Sequence, residues 1–179
     1  SAWVASGDLT IGRFGTGVLS VLNGGKVRNI NGMLAVDLAA TGAATVDGLG
    51  SSWINAGTLT IGGSGIGTLI VRNGGLVSNT AGVLGNDAGS QGSATIDGLN
   101  SSWTNSGDLT VGSSGSGTMS IWNHGAVSNN TGYIGFKSGS TGTVTVDGSG
   151  STWANGNALY VGMSGAGTLT IQNGGSVSN

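Results

Sequence analysis

The chain has no cysteine, no proline and few charged side chains. Without cysteine there is neither a disulfide framework nor a thiolate metal site. Five basic and seven acidic residues give a net charge of −2, which predicts no strong attraction to nucleic acid or to anionic lipid. No apolar run approaches the roughly 20 residues that a membrane-spanning helix requires, so we expect no membrane insertion by this segment. No signal peptide is visible, and because Ser1 falls inside a repeat we expect any export signal to lie upstream.

Glycine is the most conspicuous residue, with 39 copies in 179 positions. A chain with so much glycine and so little charge could be a disordered linker. The hydrophobic content of 37% argues against this, because the large apolar residues recur at fixed intervals.

The sequence repeats every 50 residues without an insertion. About three and a half copies are present, approximately 1–50, 51–100, 101–150 and 151–179, within one segment spanning 1–179. A period this regular places each copy in an equivalent position of a one-dimensional stack. The positions that mark the period are Trp3, Trp53, Trp103 and Trp153; Asn23, Asn73, Asn123 and Asn173; and Asp47, Asp97 and Asp147.

Each copy divides into two similar halves. At an offset of 25, Leu9 matches Leu34 and Val21 matches Val46, whereas Ile134 matches Val111 better at an offset of 23. We therefore predict coils of about 23 to 27 residues and about seven coils in all.

Short alternating runs separated by glycine-rich corners are typical of β-strands. Runs such as Leu59–Ile61 and Leu69–Val71 place two apolar residues on one face and a third residue on the other. Such short strands are stable when each pairs with its equivalent one coil away, about 4.8 Å along a common axis. The sequence therefore predicts an all-β chain folded as a right-handed parallel β-helix. An antiparallel sandwich built from hairpins at the Asn-Gly-Gly and Asp-Gly turns is the main alternative.

One stretch carries a family resemblance. It reads SSWTNSGDLTVGSSGSGTMSI over 101–121, continues as NxGxVSN over 123–129 and ends as TGTVTVDGSGSTW over 141–153. It resembles the strand-loop-strand repeat of bacterial autotransporter passengers, which also occurs in some exosortase-sorted surface proteins. The resemblance implies a Gram-negative cell-surface or extracellular protein with a long β-helical stalk, exported through an outer-membrane barrel. Members of that family are mostly adhesins or proteins of unknown role.

The recurring tryptophans have two interpretations. They could be exposed platforms for sugar rings, or they could fill the lumen with Val27, Val77, Val127 and Val177 in the intervening coils. Burial is the preferred interpretation, because large aromatic side chains dominate core energetics.

Trp122 and His124 depart from the repeat and are the candidate surface contacts. Trp122 occupies the position of Leu22, Arg72 and Gln172, so we expect it to point outward. His124 replaces a glycine and has no apparent catalytic or metal-binding partner, which makes it a tolerated surface variant.

The Asp-Gly positions are interpreted as turns. A calcium role is disfavoured because carboxylates two coils apart cannot share one ion. The Gly-x-Gly corners lack the helix and the Lys-Ser/Thr of a phosphate loop, and the serines lack a histidine base. We therefore predict no enzyme activity, no metal and no cofactor.

Three functions remain after these exclusions. The first is a structural or adhesive passenger segment that associates with itself, end to end or side by side, or with a host-surface glycan or protein. The second is a polysaccharide-active β-helix enzyme, which would need converging carboxylates. The third is an ice-binding solenoid, suggested by the Thr-x-Thr units at 58–60, 143–145 and 168–170 but weakened by interruptions such as Tyr160.

Overall fold

A computed structural model describes every residue from Ser1 to Asn179. The chain forms 22 short strands and no helix, and the strands make three parallel sheets. No helical segment therefore exists that could cross a membrane.

Each sheet takes one strand from every coil. Sheet A contains β1 (Ala2–Val4), β4 (Lys26–Asn29), β7 (Ser52–Asn55), β10 (Leu76–Asn79), β13 (Ser102–Asn105), β16 (Ala126–Asn129), β19 (Thr152–Asn155) and β22 (Ser176–Ser178). Sheet B contains β2 (Leu9–Ile11), β5 (Gly32–Leu34), β8 (Leu59–Ile61), β11 (Gly82–Leu84), β14 (Leu109–Val111), β17 (Gly132–Ile134) and β20 (Leu159–Val161). Sheet C contains β3 (Thr16–Leu22), β6 (Thr41–Asp47), β9 (Ile66–Arg72), β12 (Gln91–Asp97), β15 (Ser116–Trp122), β18 (Thr141–Asp147) and β21 (Ala166–Gln172).

All strand pairings are parallel and join equivalent strands of neighbouring coils. The fold is thus a β-solenoid of about seven coils, as the 50-residue period predicted. The antiparallel sandwich is excluded, because no two neighbouring strands run in opposite directions. Residues 50 positions apart lie above one another with one coil between them, as in the series Trp53, Val77 and Trp103.

The coil length alternates, and the register shows where. In sheet C the offset between neighbouring coils stays at 25, as for Val21 and Val46. In sheet B it alternates between 23 and 27, so Leu9 pairs with Gly32, and Gly32 pairs with Leu59. The predicted match of Leu9 with Leu34 at an offset of 25 was therefore wrong, and the offset of 23 is correct for that pair of coils. The cause is the unequal length of the corners. The corner between sheets B and C has four residues after Ile11 but six after Leu34, and the corners on either side of the sheet A strand are each one residue longer in the coil of Trp53 than in that of Val27.

Two kinds of coil follow from this alternation, and we call them Trp coils and Val coils after their first inward residue in sheet A. Trp coils also carry leucine at the first position of the sheet B strand, whereas Val coils carry glycine there. A methyl group added to Gly32 would lie 2.8 Å from Cζ2 of Trp53 and 2.9 Å from Cδ1 of Leu59. The indole of each Trp coil therefore extends over space that the glycine of the preceding Val coil leaves empty, which is why the sequence period is two coils.

The lumen holds one continuous hydrophobic cluster of 26 buried residues. Inward positions alternate with outward ones along every interior strand, as in β9, where Gly67, Leu69 and Val71 are buried. Burial of each such large side chain contributes about 1.5–3 kcal/mol, so this cluster is the main stabilising force.

A buried asparagine ladder runs through sheet A beside the tryptophans. The indole N–H of Trp103 donates to Oδ1 of Asn79 at 2.7 Å, and Asn79 in turn donates through Nδ2 to Oδ1 of Asn105. The same pair of bonds occurs one repeat earlier and one repeat later. The ladder is formed by Asn29, Asn55, Asn79, Asn105, Asn129 and Asn155.

Candidate functional site

The aspartates, the turn asparagines, Trp122 and His124 all lie at the corner where sheet C ends and sheet A begins. The last outward position of each sheet C strand forms a straight column along the axis, which we call the aspartate column. Neighbours in this column are paired directly across the sheet, so their Cα atoms are about 4.8 Å apart. Its members, in order, are Leu22, Asp47, Arg72, Asp97, Trp122, Asp147 and Gln172.

The aspartates of the column bind the corner of the following coil. Asp47 accepts hydrogen bonds from Asn73 Nδ2 at 2.8 Å and from Arg72 Nε at 2.8 Å. These two bonds, with the charge of Arg72, outweigh desolvation and hold the pKa of Asp47 below its ordinary value. Asp147 accepts in the same way from Gln172 Nε2 and Asn173 Nδ2, and these bonds lower its pKa too. The carboxylates therefore fasten consecutive coils together at this corner.

The turn itself is made by other residues. Gly48, Gly98 and Gly148 have φ values of +95°, +95° and +93°, so the glycine of each Asp-Gly pair carries the left-handed conformation. In the neighbouring corners Asn23, Asn73, Asn123 and Asn173 do the same, with φ of 50–52°. Among residues with a side chain, asparagine and aspartate adopt the left-handed conformation at the lowest energetic cost, which accounts for the recurring asparagine.

A serine four residues after each aspartate completes the corner, and sequence reasoning missed it. Ser101 is fully buried; its hydroxyl donates to the carbonyl of Asp97 at 2.7 Å and accepts from the backbone N–H of Gly74 at 3.0 Å. Ser51 and Ser151 make equivalent bonds. The 50-residue recurrence of this serine was the available signal.

Trp122 lies on the outside of the solenoid, with 42% of its surface exposed. It takes its place in the column between Asp97 and Asp147. With Asn123, Asp147 and Gly148 it lines a shallow depression. An exposed indole between two carboxylates is the most distinctive chemical feature on the surface of this chain.

His124 is also exposed, in the turn that follows Trp122. Its φ of +71° is that of the glycines it replaces, and its backbone N–H donates to Oγ of Ser151 at 3.2 Å. The imidazole packs over Gly150 of the next coil, where an added Cβ would lie 3.1 Å from its Cγ. His124 therefore serves as a corner residue, and no group of three potential metal ligands surrounds it.

The four repeating tryptophans are not a surface platform. Trp53, Trp103 and Trp153 are fully buried, and only Trp3, in the first coil of the described chain, is half exposed. The valines predicted for the intervening coils pair with them directly in sheet A.

The outer face of sheet C carries rows of hydroxyl groups. From β12 to β21 its third and fifth positions are serine or threonine in four consecutive coils. The Thr-x-Thr units at 143–145 and 168–170 belong to this face, whereas the unit at 58–60 lies at sheet B. The three units therefore do not form a single surface, and earlier coils interrupt the rows with Val18, Ala43 and Ile70.

An aromatic stack on the outer face of sheet B was also missed. Tyr133 and Tyr160 stack with ring centroids 5.4 Å apart and an interplanar angle of 8°, and Phe136 meets Tyr133 edge-on at 4.9 Å. Because the two tyrosine rings face each other along the axis, they pack against one another and stabilise neighbouring coils.

The acidic side chains do not gather into a catalytic cluster. Asp47, Asp97 and Asp147 alternate with other residues in the column, so each is two coils, roughly 9.6 Å, from the next.

Searches against protein-family models, curated proteins and solved structures found no match to the chain.

Proposed function

We propose that this chain is a structural and adhesive segment of an exported bacterial surface protein, of the passenger type whose repeats it resembles. The observation that carries the proposal is the unbroken register of equivalent coils around a continuous hydrophobic core. Such a ladder resists bending and can be extended by repeating a unit, which suits a spacer that holds a contact surface away from a cell. The proposed location is the cell surface or the extracellular space of a Gram-negative bacterium.

The construction also fits export. The fold depends on no disulfide, and its energetics come from apolar burial and short-range hydrogen bonds between adjacent coils. Each coil contacts only its neighbours, so folding can proceed from one end as the chain emerges.

The polysaccharide-active alternative is less well supported. A glycosidase acid needs a raised carboxyl pKa, and hydrogen bonds shift the pKa of both Asp47 and Asp147 the other way. Hydrolysis would also need two carboxyl groups close together. Asp47, Asp97 and Asp147 instead follow the 50-residue repeat, which keeps them two coils apart.

The adhesive role is tested with microbeads that carry the purified chain at a fixed density. We expect chain-coated beads to cluster with one another, or to be retained on immobilised glycans or extracellular proteins, more than beads coated with albumin. Beads that neither cluster nor adhere would contradict the adhesive part of the proposal. Surface labelling of intact cells that produce the parent protein tests the proposed location.

Ice binding is a second candidate, and the hydroxyl rows of sheet C favour it. These rows form a flat array with about 4.8 Å between coils and roughly 6.6 Å between alternate residues of a strand. Replacement of Thr143 and Thr168 by valine would remove two neighbouring hydroxyls from this array while keeping its shape. Thermal hysteresis in the unmodified chain, lost in that variant, would support this function, and its absence from the unmodified chain would reject it.

A further inference from the structure

In the aspartate column, Arg72 forms an ion pair with the aspartate that precedes it, Asp47. Its Nε lies 2.8 Å from Oδ2 of Asp47, the residue directly below it in the sheet. The Arg72 side chain is 50% exposed while that of Asp47 is only 22% exposed, so the guanidinium covers the carboxylate from outside. Gln172 repeats the contact on Asp147, where its Nε2 donates to Oδ2 at 2.9 Å.

Asp97 is the exception among the three aspartates. It accepts one side-chain hydrogen bond, from Asn123 Nδ2 to Oδ1 at 2.7 Å, which corresponds to the asparagine contacts of the other two. The residue above it, where Arg72 and Gln172 stand in their repeats, is Trp122, and the indole makes no hydrogen bond to Asp97. Oδ2 of Asp97 is therefore open, beside an aromatic ring that is 42% exposed.

No basic side chain of the chain forms an ion pair with Asp97. Arg72 is the direct neighbour of Asp97 on the side away from Trp122, but its Nε is bound to Asp47 and it makes no ion pair with Asp97. Lys137 belongs to the corner that precedes β18, and six residues of extended strand, about 20 Å, separate that corner from the column. Asp147, on the other side of Trp122, adds a second carboxylate next to the same ring.

We infer that Asp97 and Trp122 form a binding site for a guanidinium group, supplied by an arginine side chain on the surface of a partner protein. The ring face attracts a cation, and the open carboxylate oxygen accepts its N–H groups. Arginine fits better than lysine, because a planar guanidinium stacks on an indole and donates in the same plane. The Arg72–Asp47 pair places the same group on the equivalent carboxylate within this chain. The inference goes beyond the proposed function, which needs no defined ligand.

Trp122 provides the signal for the test. In a ¹⁵N–¹H spectrum of the full chain, its indole N–H peak is assigned from its loss in Trp122→Leu, and the peaks of the three buried tryptophans serve as internal references. The probe is N-acetyl-arginine amide, added up to tens of millimolar at low ionic strength because a single exposed contact of this kind is weak. The matched control probe is N-acetyl-citrulline amide, which has nearly the same shape without the charge.

We expect saturable shifts of the Trp122 indole and of the backbone amides at 97 and 98 with the arginine probe, and none with citrulline. Asp97→Asn should weaken the binding about two- to fivefold, whereas Asp37→Asn, which removes a partly exposed carboxylate from another corner, should leave it unchanged. Trp122→Arg should abolish it, because the new side chain would occupy Asp97 as Arg72 occupies Asp47. All these positions are at the surface, and unchanged amide peaks of the core strands verify the fold of each variant.

Three results would overturn the inference. They are equal shifts with citrulline, equal affinity in Asp97→Asn and Asp37→Asn, or shifts spread evenly over the whole aspartate column. Each would mean that the probe senses general charge or the indole alone.

Discussion

The buried tryptophans of this solenoid carry a polar atom into its lumen, and the asparagine ladder provides for it. Each indole N–H has a single acceptor, the Oδ1 of an asparagine in the preceding coil. A buried donor without a partner costs about 1–3 kcal/mol, so the asparagine matters through what its removal would leave unpaired.

Asn79→Ala is expected to lower the free energy of unfolding by about 2–4 kcal/mol, because it leaves the buried Trp103 N–H and Oδ1 of Asn105 without hydrogen-bond partners. Equilibrium unfolding in urea measures the loss. Ser78→Ala, at the adjacent outward position of the same strand, is the control and should change stability by less than about 0.5 kcal/mol. Equal losses in the two variants would show that the ladder is unimportant.

Glycine has a second role at the residue scale, besides forming turns. The second position of every sheet C strand is glycine, and these glycines pair with one another along the whole axis. At Gly92 an added Cβ would lie far inside van der Waals contact with the carbonyl oxygen of Ile61 and the amide nitrogen of Gly85. The backbone of the B–C corner thus lies directly against the strand.

Gly92→Ala is therefore expected to destabilise the chain by about 3 kcal/mol or more, since the atoms that must move are backbone. The matched control is Gly156→Ala, where the nearest atom to the new Cβ would lie at 3.7 Å and φ is not positive. Thermal unfolding distinguishes the two. If Gly156→Ala proved as costly as Gly92→Ala, the close approach would not be the cause.

At the scale of a strand and its corner, ionised carboxylates link successive coils. The side-chain bonds that lower the pKa of Asp47 and Asp147 form only in the folded chain. A carboxyl whose pKa is lowered by folding stabilises the folded state above its ordinary pKa, near 3.9, and this stabilisation disappears as the pH falls through the lowered value.

We expect the urea midpoint to fall as the pH decreases from about 5 to 2, with only a modest amplitude because both side chains reach solvent. The double variant Asp47→Asn and Asp147→Asn should show a smaller decline over this interval. Asp37→Asn serves as the control, since Asp37 makes no side-chain hydrogen bond in the chain. A decline of the same size in the double variant and in the unmodified chain would contradict this account.

At the scale of the whole molecule, stability depends on the order in which coils follow one another. The indole of each Trp coil extends beyond its own coil, and the glycine of the neighbouring Val coil leaves the space that the indole occupies. Each kind of coil therefore packs best against the other kind. Modularity is therefore a property of the 50-residue pair and not of the single coil.

Two deletions that begin at the same position test this dependence. Removal of 46–95 joins Thr45 to Ile96 and keeps Trp and Val coils in alternation, so we expect a folded rod shorter by about 9.6 Å. Removal of 46–70 joins Thr45 to Val71 in the same sheet C register but places two Val coils together. The gap left at Gly32 and Gly82 should then cost at least about 3 kcal/mol.

Small-angle scattering gives the length of each deletion variant, and chemical denaturation gives its stability. Equal stability of the two variants would show that single coils are interchangeable. Loss of folding on removal of 46–95 would contradict the modular description altogether.

The amino-acid sequence by itself determined the stacking, because the 50-residue period and the short alternating runs admit few other arrangements. It also determined that Trp122 points outward, since a position filled by Leu22, Arg72 and Gln172 elsewhere is not a lumen position. Only the tertiary structure decided the pairing of Leu9 with Gly32, because the register depends on the lengths of corners that contain no distinctive residues. It alone placed Asn79 against the Trp103 indole and left Oδ2 of Asp97 without a donor. Such contacts join residues 24 to 26 positions apart, and their partners become neighbours only when one coil closes over the next.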